Sequence, residues 1–185
     1  MEAKGSKGKE KEERRGVVME RVDEFFGLIQ KRKEEKKWQK YFPNEREREA
    51  WREAIPRADE AKDWYDLGFT PNEALSWFKR GFRPEEAVEW SDRGFTAAEA
   101  KKWVEVGVVY PDDAVDYEEI GLKPKEVARW ISVGMTDARE IAGWLELGLK
   151  PNEALRWAKR GYTPREVREV LSKREALKRK RKGEE

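Results

Sequence analysis

The sequence predicts an all-α protein: a solenoid of single-helix units repeating every 13–14 residues, preceded by a longer amphipathic helix and bounded by basic tails. Three observations carry this. A large aromatic returns every 13 or 14 residues through Phe25, Trp38, Trp51, Trp64, Trp77, Trp90, Trp103, Tyr117, Trp130, Trp144 and Trp157. From Trp64 onward each aromatic is followed four residues later by glycine, at Gly68, Gly81, Gly94, Gly107, Gly121, Gly134, Gly148 and Gly161. Helix-start signals then recur in fixed phase with both. Self-similarity at a fixed short period marks a repeat array.

The segment Thr70–Phe82 shows why each unit is a helix. Thr70 is a good N-cap, and Pro71 at the first helical position loses no hydrogen bond. Glu73, three residues after the cap, completes a capping box. Ala74 and Trp77 share one face. Lys79 and Arg80 sit in the last turn, where cations favour the negative end of the helix dipole. Gly81 supplies the left-handed stop, and Phe82 is placed to pack on Trp77, five residues back. The signals agree on a helix of about ten residues, ~15 Å long.

Other copies drift. Thr96–Glu99 and Thr163–Glu166 keep the box, whereas Lys123–Glu126 and Lys150–Glu153 keep proline and glutamate without the capping hydroxyl. The unit from Ile55-Pro56 to Trp64 keeps Pro56, Glu60 and Ala61, and the stretch Phe42–Trp51 is weaker still; both read as atypical end repeats. One extra residue lies between Gly107 and Tyr117 and another between Gly134 and Trp144, where the superhelix should change direction. Val17, Val18, Val22, Phe25, Phe26 and Ile29 recur at helical spacing. The expected organisation is therefore an irregular charged tail over 1–16, an amphipathic helix with a basic end over 17–41, the array over 42–170 and a basic helix or tail over 171–185. Helices this short do not stand alone, so each should bury its tryptophan against the next unit. The Gly-Phe-Thr-Pro-x-Glu-Ala turn resembles the loop of small ubiquitin-binding helical domains over a few residues per unit, and no function is carried over from it.

Composition bounds the function. Charged residues make up 43% and hydrophobic residues 37%, an unusual balance. Aromatics at 11% argue against wholesale disorder. Lysine, arginine and glutamate dominate while asparagine and glutamine number five, a bias expected of proteins from hot habitats. There is no cysteine, no run of ~18 apolar residues and no apolar leader after Met1, so a cytoplasmic protein is expected. The net charge of +2 conceals segregation. Residues 1–57 carry 17 cations and 13 carboxylates, 58–164 carry 15 and 21, and 165–185 carry nine and five.

The chemistry available is narrow. With no histidine there is no Ser-His-Asp or Cys-His catalysis and no usual zinc set. The glycines are isolated, so no phosphate-binding loop is present. No catalytic residue, cofactor or metal is therefore expected. The densest carboxylate group is Glu105, Asp112, Asp113, Asp116, Glu118 and Glu119, with no cation between Lys102 and Lys123. Its readings are a surface for a basic protein, a solvated face, or a site for a hard cation, although the spacing matches no EF-hand loop.

Three further features have a sharp and a plain reading. The tryptophans are stacking platforms for nucleic acid or, as their phase with the caps favours, the core; Trp38, beside Lys36, Lys37 and Lys40, is the best candidate platform. The Lys-Arg-Gly segments at 79–81 and 159–161 are a ladder of cations for phosphates or helix C-caps. The basic runs Lys31, Arg32, Lys33, Lys36, Lys37 and Lys40, and Lys178, Arg179, Lys180, Arg181 and Lys182, are solubilising ends or contacts to nucleic acid. The leading expectation is a non-enzymatic scaffold docking on an RNA-containing assembly such as a ribosomal subunit. The alternative is a protein–protein adaptor, self-associating through 17–33 as a homodimer. A membrane-surface role for 17–41 is weak, because its polar face mixes glutamate with lysine.

Overall fold

The computed structural model describes the backbone over residues 3–182 and the side chains of Gly16 and of residues 19–181. Among the described residues every element is helical: a long N-terminal helix is followed by short repeated helices packing neighbour to neighbour. The chain divides into two compact units, Met1–Glu85 and Glu86–Glu185. The first holds α1 (Ala3–Tyr41), α2 (Glu45–Ala54), α3 (Ala58–Asp66) and α4 (Pro71–Phe78). The boundary falls in the first turn of α5 (Pro84–Asp92); the second holds the rest of α5, α6 (Ala97–Glu105), α7 (Pro111–Glu119), α8 (Pro124–Ile131), α9 (Ala138–Glu146), α10 (Pro151–Ala158) and α11 (Pro164–Lys182).

One ending recurs eight times. In α4 the Gly81 N–H donates to the Phe78 carbonyl at 2.9 Å, and the Phe82 N–H donates to the Trp77 carbonyl at 3.3 Å. This six-to-one bond is the Schellman closure, and it needs the residue before Phe82 in the left-handed region, which only glycine enters cheaply. Gly81 has φ +85°, and the other seven period glycines lie between +70° and +95°. The same bond reaches back from Phe69 to Trp64, Phe95 to Trp90, Val108 to Trp103, Leu122 to Tyr117, Met135 to Trp130, Leu149 to Trp144 and Tyr162 to Trp157, at 2.9–3.2 Å. Where the closing residue is aromatic its ring meets the tryptophan edge to face: Trp77–Phe82 centroids are 5.0 Å apart at 90°. Such a pair contributes about 0.5–1.5 kcal/mol beyond the area it buries.

The starts are equally local. Thr70, Thr96 and Thr163 accept from the backbone of Glu73, Glu99 and Glu166, and each glutamate accepts from the threonine N–H in return. Before α8 and α10 the bond runs one way: Glu126 and Glu153 accept from the Lys123 and Lys150 N–H at 2.9 Å, and a lysine side chain has no acceptor to return it. The capping bonds hold the carboxyls of Glu73, Glu99 and Glu166 below their ordinary 4.5.

The N-terminal unit is built less regularly than the repeats that follow, and its first helix is longer than expected. Helix α1 already includes residues 3–16, which read as an irregular tail; lysine, glutamate and arginine are good helix formers, and the continuing helix supplies the nucleus. Phe25 and Trp38 lie on that one helix, as expected over 17–41, and Phe25 is 62% exposed. Helix α2, expected to be weak, has ten residues and a side-chain cap, Asn44 accepting from the Glu47 N–H. It ends without glycine: Ile55, extended before Pro56 and fully buried, returns its N–H to the Trp51 carbonyl at 2.8 Å. Helix α3 has no capping side chain of its own at Arg57, and Glu34 of α1 accepts from the Ala58 N–H at 2.7 Å instead.

Packing extends past the nearest neighbour. In the first unit α1 packs on α3 and α2 on both α3 and α4. In the second, α7 packs on α9 and α9 on α11. A helix of eight to ten residues encloses an indole only when a second helix closes over it, so burial against the next unit alone is not enough. Trp51, Trp64, Trp103 and Trp144 are at most 1% exposed, while Trp157, near the end, is half-buried. Gly143 in α9 marks a close approach, since a Cβ there would meet Pro164 Cβ of α11 at 2.8 Å. The two extra residues fall in loops rather than helices, giving three residues instead of two between Gly107 and Pro111 and between Gly134 and Ala138.

Two outcomes follow from this packing. Trp130→Ala empties a site that is 2% exposed and is expected to cost about 3–5 kcal/mol, read as a fall in the thermal midpoint; an unchanged midpoint contradicts the burial. Glu73, Glu99 and Glu166 titrate lower folded than unfolded, so their contribution is complete above pH 4.5 and fades as pH falls through the folded values. The triple Glu→Gln variant should therefore lose less of its midpoint between pH 6 and pH 3 (roughly the span of carboxylate titration) than the parent, and parallel curves would sink the assignment.

Candidate functional site

The basic run in α1 splits into two faces. Lys37 forms an ion pair with Asp59 of α3, and the Tyr41 hydroxyl donates to the same carboxylate at 3.0 Å. Bonding to Asp59 raises Lys37 above the usual ammonium range, and the Lys37 and Tyr41 bonds hold Asp59 low. Trp38 is buried, its ring tilted against Phe42 with centroids 5.6 Å apart, and the Arg52 guanidinium lies 5.3 Å from its ring. Arg52 is itself paired with Glu35. Lys37 and Trp38 therefore belong to the joint between α1, α2 and α3, with the Trp38 ring buried in it and the Lys37 side chain part-exposed. Lys31, Arg32, Lys33, Lys36 and Lys40 are exposed.

The indoles as a set are the core, as their phase with the caps favours: eight of nine are buried. The Lys-Arg-Gly ladder is also broken. Arg80 turns back onto the Ser76 carbonyl at 2.8 Å, which is C-capping, and Arg93 pairs with Asp112.

At the other end α11 runs straight through residue 170, where the array was expected to stop. Val167 is fully buried, Arg168 pairs with Glu146 of α9, and Leu171 is the last half-buried side chain. From Ser172 to Arg181 every side chain is exposed, including Lys178, Arg179, Lys180 and Arg181. The Lys182 side chain lies outside the described residues, as do those of Val17 and Val18.

The acidic group does not act as one cluster. Asp112 is held low by its bond to Arg93. Glu105 sits 4.0 Å from Lys101, an exposed pair of little weight. Asp113 and Asp116 instead line a groove of about 620 Å³ with Tyr110, Tyr117, Thr136, Asp137 and Arg139. Asp116 and Glu119 border a second groove with Gly143, Pro164, Arg165 and Arg168. Glu118 is exposed and lines neither. Among the described residues no three carboxylates converge as metal ligands.

The first groove is where the repeat departs from its rule. Both lengthened loops border it, and it contains Tyr117, which replaces the tryptophan of every other glycine-ended unit. The Tyr117 hydroxyl donates to the Thr136 carbonyl at 2.6 Å, tying α7 to the lengthened loop before α9. Burial, then Asp113, Asp137 and Asp116, push this phenol up. Tyr110, which carries no capping acceptor, is 65% exposed on its rim. Sequence reading had missed Asp137 and Tyr110. The two extra residues are the sequence signal that marks this place.

Among the described residues no helix is long and apolar enough to cross a membrane. No family model matches the chain, and neither a curated protein nor a solved structure matches it.

Proposed function

We propose that the protein is a non-enzymatic helical-repeat scaffold that docks on a large RNA-containing assembly, a ribosomal subunit being the leading example, and bridges, caps or silences it. The observation that carries this reading is the cationic extension of α11. Between Lys173 and Lys182 seven cations stand against the single carboxylate of Glu175, beyond the last buried residue of the array. A lone helix of that charge has poor internal reason to stay compact, and a phosphate backbone is its natural complement: neutralising it releases counterions. The exposed cations of α1 add a second contact. The groove around Asp113, Asp116 and Asp137 would receive a basic protein segment, which RNA-containing assemblies supply in quantity. The absence of histidine and cysteine from the sequence supports a role without chemistry of its own.

That groove also favours the second reading, a protein–protein adaptor with no nucleic-acid contact. Binding to a structured ribosomal RNA across a salt series separates the two. Removing residues 1–41 would also remove Trp38 from the core, so substitutions are used instead. The Lys178→Ala, Arg179→Ala, Lys180→Ala, Arg181→Ala variant should bind more weakly and flatten the slope of log affinity against log salt by up to about 4, near one per lost phosphate contact. A salt-independent affinity, or an unchanged slope in the variant, favours the adaptor.

A further inference from the structure

We infer that the side of the second unit built by α6, α8 and α10 binds single-stranded RNA, with phosphates along a row of cations and a base against an open aromatic pair at its end. The row comes from one repeat position, the residue before the period aromatic. Lys102, Arg129 and Arg156 stand there at intervals of 27 residues, two repeats apart, and the helices between them carry Glu89, Asp116 and Gly143 at the same position. Packing turns this alternation into faces of different charge. Helix α7 packs on α9 and α9 on α11, and the Arg93–Asp112 pair links the end of α5 to α7. The helices that connect these, α6, α8 and α10, stand together outside that layer. Their cations are free to meet a ligand. Lys102, Arg129, Arg156, Lys159 and Arg160 are all exposed, and among the described residues no ion pair or hydrogen bond holds their side chains. Arg80, the counterpart of Arg160 in α4, turns back onto Ser76; α10 has Arg156 at that place, and Arg160 stays free. The carboxylates of this side are already engaged. Glu99, Glu126 and Glu153 accept from the backbone at their own helix starts, and Glu105 sits beside Lys101.

The end of the row selects a single strand. Helix α10 is the last on its side, so no helix two along closes over it. Trp157 is the one indole of the chain left half-buried. Tyr162, which meets it edge to face with centroids 5.5 Å apart, is 40% exposed, whereas Phe82, Phe95, Leu122 and Met135 at the same closing position are 5–8% exposed. The open pair lies among Arg156, Lys159 and Arg160, and Arg156 and Arg160 are four residues apart, about one helical turn. Cations that track a backbone, joined to an aromatic face on which an unpaired base stacks, are the two parts of a single-strand site. A duplex keeps its bases stacked on one another and leaves the aromatic pair unused. An acidic protein segment matches the cations and equally leaves the rings without a role. The site is separate from the α11 tail, and the inference rests on the RNA reading for the chemistry of the partner.

Fluorescence anisotropy of a short labelled oligoadenylate with the full chain, across a salt series, tests this. The Arg129→Ala, Arg156→Ala, Arg160→Ala variant, its α11 tail intact, should bind at least tenfold more weakly and flatten the slope of log affinity against log salt by up to about 2, near 0.7 per lost contact on a single strand. Its circular dichroism and thermal midpoint should match the parent, since the three side chains pack on nothing. Tyr162→Leu puts in a residue that already closes the same turn at Leu122 and Leu149. It should weaken binding about fivefold or more and leave the slope unchanged, as loss of a stacked base does. Unchanged affinity in the triple variant, or polyglutamate competing as well as unlabelled RNA, overturns the site, and unchanged affinity in Tyr162→Leu overturns the stacked base. The two readings fail separately: the tail variant on structured ribosomal RNA tests the α11 contact, and the triple variant on the oligonucleotide tests this one.

Discussion

The hydrogen bond from the residue after each glycine to the carbonyl of the period aromatic is the constraint on which this fold depends. It uses one residue twice. The backbone of Trp77 ends its helix by accepting from Phe82, while its indole is the main apolar mass that the helix contributes to the core. Helix length and core position are thereby locked in phase, because the turn cannot move without moving the ring. The helices stay at eight or nine residues through most of the array, too short to persist alone, and what holds them is enclosure by neighbours and by helices two along.

A core built this way needs few residues. Alanine, one large aromatic and one closing apolar residue per unit satisfy it, and almost every other position is left to charge. That explains a chain that is 43% charged and nonetheless fully helical in its repeats. It also shifts the search for function to where the rule is relaxed. One such place is the groove bordered by both lengthened loops, where tyrosine stands for tryptophan. The others are the two helices that outrun the repeat, α1 with its uncovered apolar stripe and α11 with its cations.

Much of this was legible because the signals are local. Thr70, Glu73, Trp77, Gly81 and Phe82 lie within one unit, and each does in the structure what its chemistry suggests. What was not legible depends on distant residues. Trp38 sits in a run of lysines and looks exposed, but Phe42 and Arg52 enclose it. Lys37 looks like part of a cationic patch, but Asp59, 22 residues away, takes it. The periodic placement of Phe25 matched the repeat by spacing alone, since nothing between Phe25 and Trp38 ends a helix. Of the six acidic candidates, Asp113 and Asp116 share a groove with Asp137, which lies in another repeat and whose own sequence pattern marks it only as the N-cap of α9.

The ends of this scaffold are proposed to meet RNA. The most direct test is recovery of the tagged protein from its native lysate at low and moderate salt, with and without nuclease. Ribosomal RNA or another large RNA is expected to come with it at low salt and to be lost both on nuclease treatment and at moderate salt. Recovery of one protein partner, undiminished by either, would contradict it.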